Sequence, residues 1–295
     1  GIEVFVFEEG YIRPHYITME KYGVNDFSHI SRDADFYKNV KISSEQEPKD
    51  AEYSPFKMVA CSTTYYLVSN IFHFRYPNYI HHRDFSAIKE AFYGTRSFFR
   101  KLIYPFYEKK YLEIIKNELS NNYFFVALQT YNDFQVLEHS GYKSIEKFII
   151  EVLESFSKNT LETWLVFKHH PVDRGRKNYK NFIIDQARHF GIEDRVLVLY
   201  DTHLPTCLKN AKGTVTINST VGLSALYHET PVITLGNAIY DIEGLTCKNM
   251  KLDDFWHKYQ APDMELFDKY RSYILENTQL NGSFYGNIPI FKFDS

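Results

Sequence analysis

Only three cysteines, Cys61, Cys207 and Cys247, occur in 295 residues, and no two of them form a CxxC pair. So few and so scattered, they exclude a disulfide framework or a zinc ribbon and lead one to expect a reducing compartment. No apolar run approaches the roughly 18 to 20 residues that span a bilayer, and no charged-then-apolar leader opens the chain, so it is not expected to cross a membrane. The patterns GxGxxG, GxxxxGK[ST] and GxSxG are missing, which argues against dinucleotide cofactors, P-loop phosphoryl transfer and an α/β-hydrolase nucleophile elbow. Nor is there an excess of positive charge: 34 Lys and Arg face 37 Asp and Glu, for a formal net charge of -3. No nucleic-acid partner is expected.

What is abundant is apolar and aromatic. With 44% hydrophobic residues, including 24 Tyr and 25 Phe, the chain has material for one large or two medium domains. It opens on Gly1-Ile2-Glu3-Val4-Phe5-Val6-Phe7, which reads as a buried strand with no preceding cap, so earlier elements of a first domain are expected to be missing. A loop is expected from Glu8 to about Ser54, and helices from Tyr65 to about Leu119. The basic residues of that helical stretch, Arg96, Arg100, Lys101, Lys109 and Lys110, read as a solvated helix face rather than a membrane patch.

From residue 123 the pattern alternates. Strands are predicted at 123–128, 163–168, 196–199, 214–217 and 231–235, with helices at 144–156, 179–190, 204–210 and 220–228 between them. Apolar strand centres separated by helices predict a parallel sheet covered on both faces, with ligands at the carboxyl ends of its strands. Chemistry is therefore sought at four strand ends. Asn218-Ser219-Thr220 with Gly222 could cradle an anion at a helix start, or be an ordinary cap. Lys168-His169-His170-Pro171-Val172-Asp173-Arg174 offers donors for a phosphate or carboxylate, with at most one of the adjacent histidines touching ligand. Gln129-Thr130-Tyr131-Asn132-Asp133 places a carboxylate beside two amides, as nucleophile, base or turn residue. Glu8-Glu9 with Arg13 is either a second carboxylate site or a salt bridge. Asp33-Ala34-Asp35 reads as a solvated loop.

The segments Phe7-Glu8-Glu9-Gly10-Tyr11-Ile12-Arg13-Pro14, Gln129-x-x-x-Asp133, His169-His170-Pro171-x-Asp173-Arg174-Gly175 and the run from Thr216 to Leu226 together resemble the capsule polysaccharide synthesis proteins of the KpsS/LipB type. So do Gly236-Asn237-Ala238-Ile239-Tyr240-Asp241 and Thr278-Gln279-x-Asn281-Gly282-Ser283-Phe284-Tyr285. The resemblance implies an α/β, GT-B-like glycosyltransferase of two Rossmann-like domains, the amino-terminal one incomplete. Residues 1–155 would form the acceptor side, with a helical insertion at about 65–119. Residues 156–295 would bind the CMP-sugar, with carboxy-terminal helices crossing back.

It implies transfer of Kdo from CMP-Kdo, with retention of β configuration, to phosphatidylglycerol or its lyso form. Asp133 would be the nucleophile and Glu9 the acid/base. Lys168, His170, Pro171, Asn218, Ser219 and Thr220 would hold the donor, supported by Gln129, Asn132, Arg13 and Glu8. No metal or other cofactor is expected. The implied setting is cytoplasmic, peripheral at the inner face of the inner membrane, with a capsule synthesis and export complex as partner. Two alternatives stay open: a sialyltransferase-like enzyme using another CMP-sugar, and a non-catalytic capsule assembly or export component.

Overall fold

The computed structural model describes residues 2–43, 48–52, 54–76, 78, 87–137, 140–159 and 162–286. In chain order the elements are β1 (Phe5–Glu9), β2 (Tyr16–Lys21), α1 (Ala34–Tyr37), α2 (Pro55–Ile71), α3 (Ala87–Lys116), β3 (Tyr123–Ala127), α4 (Phe134–Leu137) and α5 (Ile145–Ser157). There follow β4 (Trp164–Lys168), α6 (Lys180–His189), β5 (Val196–Leu199), α7 (Leu204–Lys209), β6 (Gly213–Thr216), α8 (Val221–Tyr227), β7 (Val232–Thr234), α9 (Leu252–Lys258), α10 (Met264–Thr278) and β8 (Gln279–Asn281). Gly1 and residues 287–295, at the ends of the two expected domains, lie outside the described residues, as do 77 and 79–86 of the helical stretch.

The expected parallel sheet is present, with strand order β5-β4-β3-β6-β7. Both faces are covered, and the strands divide by the period-2 rule. Phe124, Val126, Leu165, Phe167 and Val215 pack beneath α5, α6 and α9, whereas Tyr123, Phe125, Val166 and Leu199 pack beneath α7, α8, α10 and the end of α3. Helix α5 shows why the pattern was readable. Ser144 caps it by accepting the Lys147 N–H, and Ile145, Phe148, Ile149, Val152 and Phe156 recur at three- and four-residue spacing on its buried face. A division at residue 155 falls between β3 and β4, which pair along five residues, so this sheet runs across it.

A second sheet, antiparallel, has the order β1-β2-β8, so the chain returns to its amino-terminal hairpin after α10. Strand β2 lies inside the expected loop of Glu8 to Ser54. No apolar alternation marks it, because its buried positions include Thr18 and Glu20, which hold polar partners in place of apolar contacts. The Tyr11 hydroxyl donates to Glu20 at 2.6 Å, Ser28 donates to the other Glu20 oxygen, and Gln279 Nε2 donates to Thr18 at 3.0 Å. A satisfied buried network replaces the alternation that marks a strand in sequence. Asp33, in the same stretch, accepts the Asp35 N–H and caps α1. No helix among the described residues is long and apolar enough to cross a membrane.

Candidate functional site

The chain builds β3, β4 and β5 outward to one side of the parallel sheet, then β6 and β7 to the other. The crevice between the carboxyl ends of β3 and β6 is thus the topological switch point, where ligands of such sheets bind. Gln129, 4% exposed just past β3, spans it. Its Nε2 donates to Asn218 Oδ1 at 2.9 Å, and its Oε1 accepts the Asn218 N–H at 3.2 Å. Nε2 also lies 3.3 Å from Asp133 Oδ2, while Asp133 Oδ1 accepts the Gln135 N–H at 3.0 Å. Asp133 therefore caps the short α4 with one oxygen and holds the other against Gln129. Asn132 is half-buried in the same turn.

Beside this pair opens a cleft lined by Tyr11, Gln135, Asn218, Thr220, Asn237 and Tyr240 among others. Thr220 is the N-cap of α8 but makes no side-chain capping bond. Ser219 is committed to the turn: its hydroxyl accepts the Val221 N–H at 3.2 Å and its carbonyl accepts the Tyr240 hydroxyl at 2.5 Å. Gly222 lies under the Tyr240 ring, where any Cβ would collide with it. Tyr240 and Asn237 belong to a segment quoted above with no role assigned, since a Tyr or Asn in a loop carries no chemistry by type.

The two histidines after β4 divide the work. His169 is 5% exposed; Nε2 accepts the Tyr179 N–H at 2.9 Å, which leaves Nδ1 to donate to the Leu199 carbonyl at 3.1 Å. Both nitrogens are used, and the ring stacks on Tyr200. His170 Nδ1 accepts the Val172 N–H at 3.2 Å, so its neutral form carries the hydrogen on Nε2 as a free-facing donor. Burial, then the nearby Arg13 and Lys168 charges, push the His170 pKa down to about 4. Burial holds His169 at about 4 as well. His170 and Pro171 line a second cleft with Arg100, Tyr104, Tyr200 and Asp201.

Lys168, expected among the donor ligands, points inward instead. It shares the sheet face of Val166, beneath α7, is 7% exposed, and donates to the Tyr200 carbonyl at 3.2 Å; burial lowers its pKa. Arg174 is locked in a two-bond ion pair with Asp201. Asp173 is 2% exposed; Oδ2 accepts the Tyr131 N–H at 3.1 Å, tying the histidine loop to the loop of Asp133. Burial raises its carboxyl to about 6, with the Asp133 charge adding in the same direction.

The basic residues of α3 are not all solvated. Arg96 donates to the carbonyls of Gly175 and Arg176 at 2.6 and 2.8 Å, and Arg100 to that of Arg174 at 2.7 Å. Gly175 makes the approach possible, because a Cβ there would strike the Tyr93 carbonyl. Buried Glu108 accepts the N–H groups of Tyr200 and Asp201 at 2.5 and 2.6 Å and the Thr202 hydroxyl at 3.1 Å. These anchors have no sequence signal, since their backbone partners lie 74 to 93 positions away.

From the amino-terminal sheet, Arg13 stands near enough to His170 to act on it electrostatically, and Tyr11 reaches the switch-point cleft. Arg13 Nε donates to the Gly10 carbonyl at 3.4 Å, and Glu8 accepts its neighbour's N–H. Glu9 is half-buried at the end of β1; among the described residues no hydrogen bond or ion pair joins it to Asp133. No group of three or more His, Cys, Asp or Glu among the described residues is arranged to hold a metal ion.

The family described as "Capsule polysaccharide biosynthesis protein" matches residues 1–285. The chain is 41% identical over 286 residues to the capsule polysaccharide export protein KpsS of Escherichia coli, covering 97% of this chain and 73% of that one. It is 39% identical over 299 residues to the capsule polysaccharide modification protein LipB of Neisseria meningitidis serogroup A, covering 96% of this chain and 69% of that one. Among solved structures, Thermosulfurimonas dismutans KpsC, a beta Kdo 2,7 transferase, aligns with a TM-score of 0.42 at 14% identity, over 91% of this chain and 67% of that one. With the match running through the hairpin, the switch point and the histidine loop alike, the chain belongs to the capsule polysaccharide biosynthesis protein family.

Proposed function

We propose that this chain is a glycosyltransferase that moves Kdo from CMP-Kdo to a phosphatidylglycerol-type lipid with retention of configuration. The observation that carries the reading is the carboxylate of Asp133, fixed by Gln129 and the Gln135 N–H at the edge of the switch-point crevice. An Asp Oδ attacks the anomeric carbon, the bond to the CMP phosphate breaks, and CMP leaves with the electron pair. An acceptor hydroxyl, deprotonated by a base, then displaces Asp133 and restores the starting configuration. We assign the base to Glu9, at the end of the strand leading into the Arg13 turn. His170 Nε2–H and the Asn218 and Thr220 side chains are assigned to the donor's phosphate and carboxylate, whose charge they stabilise as it develops.

The reaction takes place, on this reading, at the inner face of the cytoplasmic membrane, as part of capsule assembly. The test is peptide mass spectrometry of the protein incubated with CMP-Kdo alone. A Kdo adduct on the peptide containing Asp133, absent from Asp133→Asn, is expected; an adduct on Glu9 would exchange the two carboxylates. A folded, CMP-binding Asp133→Asn protein with near wild-type transfer would end the assignment.

A further inference from the structure

Helix α3 has two chemically opposed faces. Arg96, Arg100, Tyr104 and Glu108, spaced by four, form one ridge. Each is engaged with the loops that line the His170 cleft: the two arginines and Glu108 through the bonds given above, and Tyr104 by stacking on Tyr200 with ring centroids 4.6 Å apart. Away from that ridge Phe99 and Phe106 recur at seven-residue spacing with Leu102 and Ile103, and Phe92, seven residues before Phe99, closes the stripe at its border with the ridge, its ring 5.3 Å from the Arg96 guanidinium; all five are exposed, Phe106 by 85%. An apolar stripe of this length on one helix is far beyond the scattered exposed hydrophobics of an ordinary surface. Helix α2, which packs against α3, adds exposed Phe56, Leu67 and Ile71, and its only charged residue is Lys57.

The charges decide what would cover this face. Between Phe92 and Lys110 the sequence has a single carboxylate, Glu108, and that one is buried on the opposite ridge. The exposed charges in this span are Lys101, Lys109 and Lys110; Lys109 and Lys110 adjoin the stripe, and Lys101, seven residues before Glu108, stands at the ridge side. Aromatic and aliphatic side chains flanked by lysines, on a helix too short of apolar residues to cross a bilayer, have the character of an interfacial helix on an anionic lipid surface. A second protein would be expected to meet such a lysine rim with carboxylates, and the two that α3 carries outside this span, Glu90 and Glu113, are already in ion pairs with Arg176 and Lys116.

We propose that α3, with α2 beside it, lies flat on an anionic phospholipid bilayer through the Phe92–Phe99–Phe106 stripe. Its inner ridge then holds the His170 cleft about one helix diameter, some 10 Å, from the headgroups. The proposal rests on the transfer reading only for which membrane is meant; the surface itself is argued from α3 alone.

The experiment is co-sedimentation of the chain with vesicles of phosphatidylcholine alone and of phosphatidylcholine with one-third phosphatidylglycerol. The wild type should bind the anionic vesicles at least tenfold more tightly. Phe99→Ser with Phe106→Ser should lose at least tenfold, and Lys101→Glu with Lys109→Glu and Lys110→Glu should lose the preference for phosphatidylglycerol. Both variants change exposed side chains only and should keep the wild-type melting temperature and CMP affinity. Wild type that ignores anionic vesicles, or a double serine variant that binds them as well as wild type, overturns the proposal. So does a concentration-dependent dimer that the double serine variant makes monomeric, which would assign the stripe to a second copy. Vesicle binding without any Kdo adduct would sink the transfer reading and leave this surface standing; the reverse result would sink the surface alone.

Discussion

Gln129 and Asn218 face each other across the switch point of the parallel sheet and exchange two hydrogen bonds, at 2.9 and 3.2 Å. The same Gln129 amide nitrogen reaches Asp133, and Asn218 Nδ2 donates to the Gln135 carbonyl at 3.0 Å. Two loops 89 residues apart in sequence are thereby locked to one carboxylate. Gln129→Leu roughly keeps the volume and removes every side-chain hydrogen bond of Gln129, leaving the half-buried Asn218 N–H without its acceptor. We expect a loss of about 2 to 3 kcal/mol in urea unfolding and at least a hundredfold fall in transfer. Stability and rate both within error of wild type would show that the bridge orients nothing.

His170 offers a second test, because its two ring nitrogens have separate tasks. Asn at this position keeps an acceptor for the Val172 N–H but lacks the outward Nε2 donor. His170→Asn should therefore fold normally and bind CMP about tenfold to a hundredfold more weakly, the worth of one hydrogen bond to a charged group. Unchanged calorimetric affinity would remove His170 from the donor site.

Acid should destabilise the protein in a defined window. His169 and His170 are held at about 4 in the folded chain, against an ordinary value near 6.5. Between those values the unfolded chain binds more protons, so stability is present above about 6.5 and is lost as pH falls toward 4. From pH 7 to 5 the fully enclosed His169 alone accounts for about 2 kcal/mol. Asp173, raised to about 6, acts oppositely and offsets part of the loss, since its protonated form is favoured by folding. The urea midpoint should be lower at pH 5 than at pH 7; an equal or higher midpoint at pH 5 would contradict the two histidine assignments.

Glu108 should be among the most sensitive positions outside the site. Glu108→Ala leaves two backbone N–H groups and a hydroxyl without their acceptor, a loss of about 3 to 5 kcal/mol. Glu108→Gln retains one acceptor oxygen and should lose less. Hydrogen exchange should show α3 opening more readily in both variants, and wild-type protection of α3 in the alanine variant would refute its role as an anchor.

The parts legible in the sequence were those where burial imposes a period. The apolar centres of β3, β4 and β6 and the stripe of α5 are dictated by side chains that all seek the same environment, so composition and spacing suffice. Strand β2 and the inner ridge of α3 are held by Glu20, Thr18, Arg96, Arg100 and Glu108, polar residues whose partners lie far along the chain, and no local pattern announces them. Within the site, the strand-end rule led to Gln129, Asp133 and Asn218, which the fold joins. It could not separate His169 from His170, or show that Lys168 turns inward, because one residue of register decides which face of a strand a side chain takes.

The most direct test of the proposed reaction is mass spectrometry of the lipid recovered after the protein is incubated with phosphatidylglycerol vesicles and either CMP-Kdo or CMP-sialic acid. The account predicts phosphatidylglycerol heavier by one Kdo residue with CMP-Kdo, and unmodified lipid with CMP-sialic acid or with Asp133→Asn. Sialylated lipid, or unmodified lipid from a folded protein that binds CMP, would contradict it.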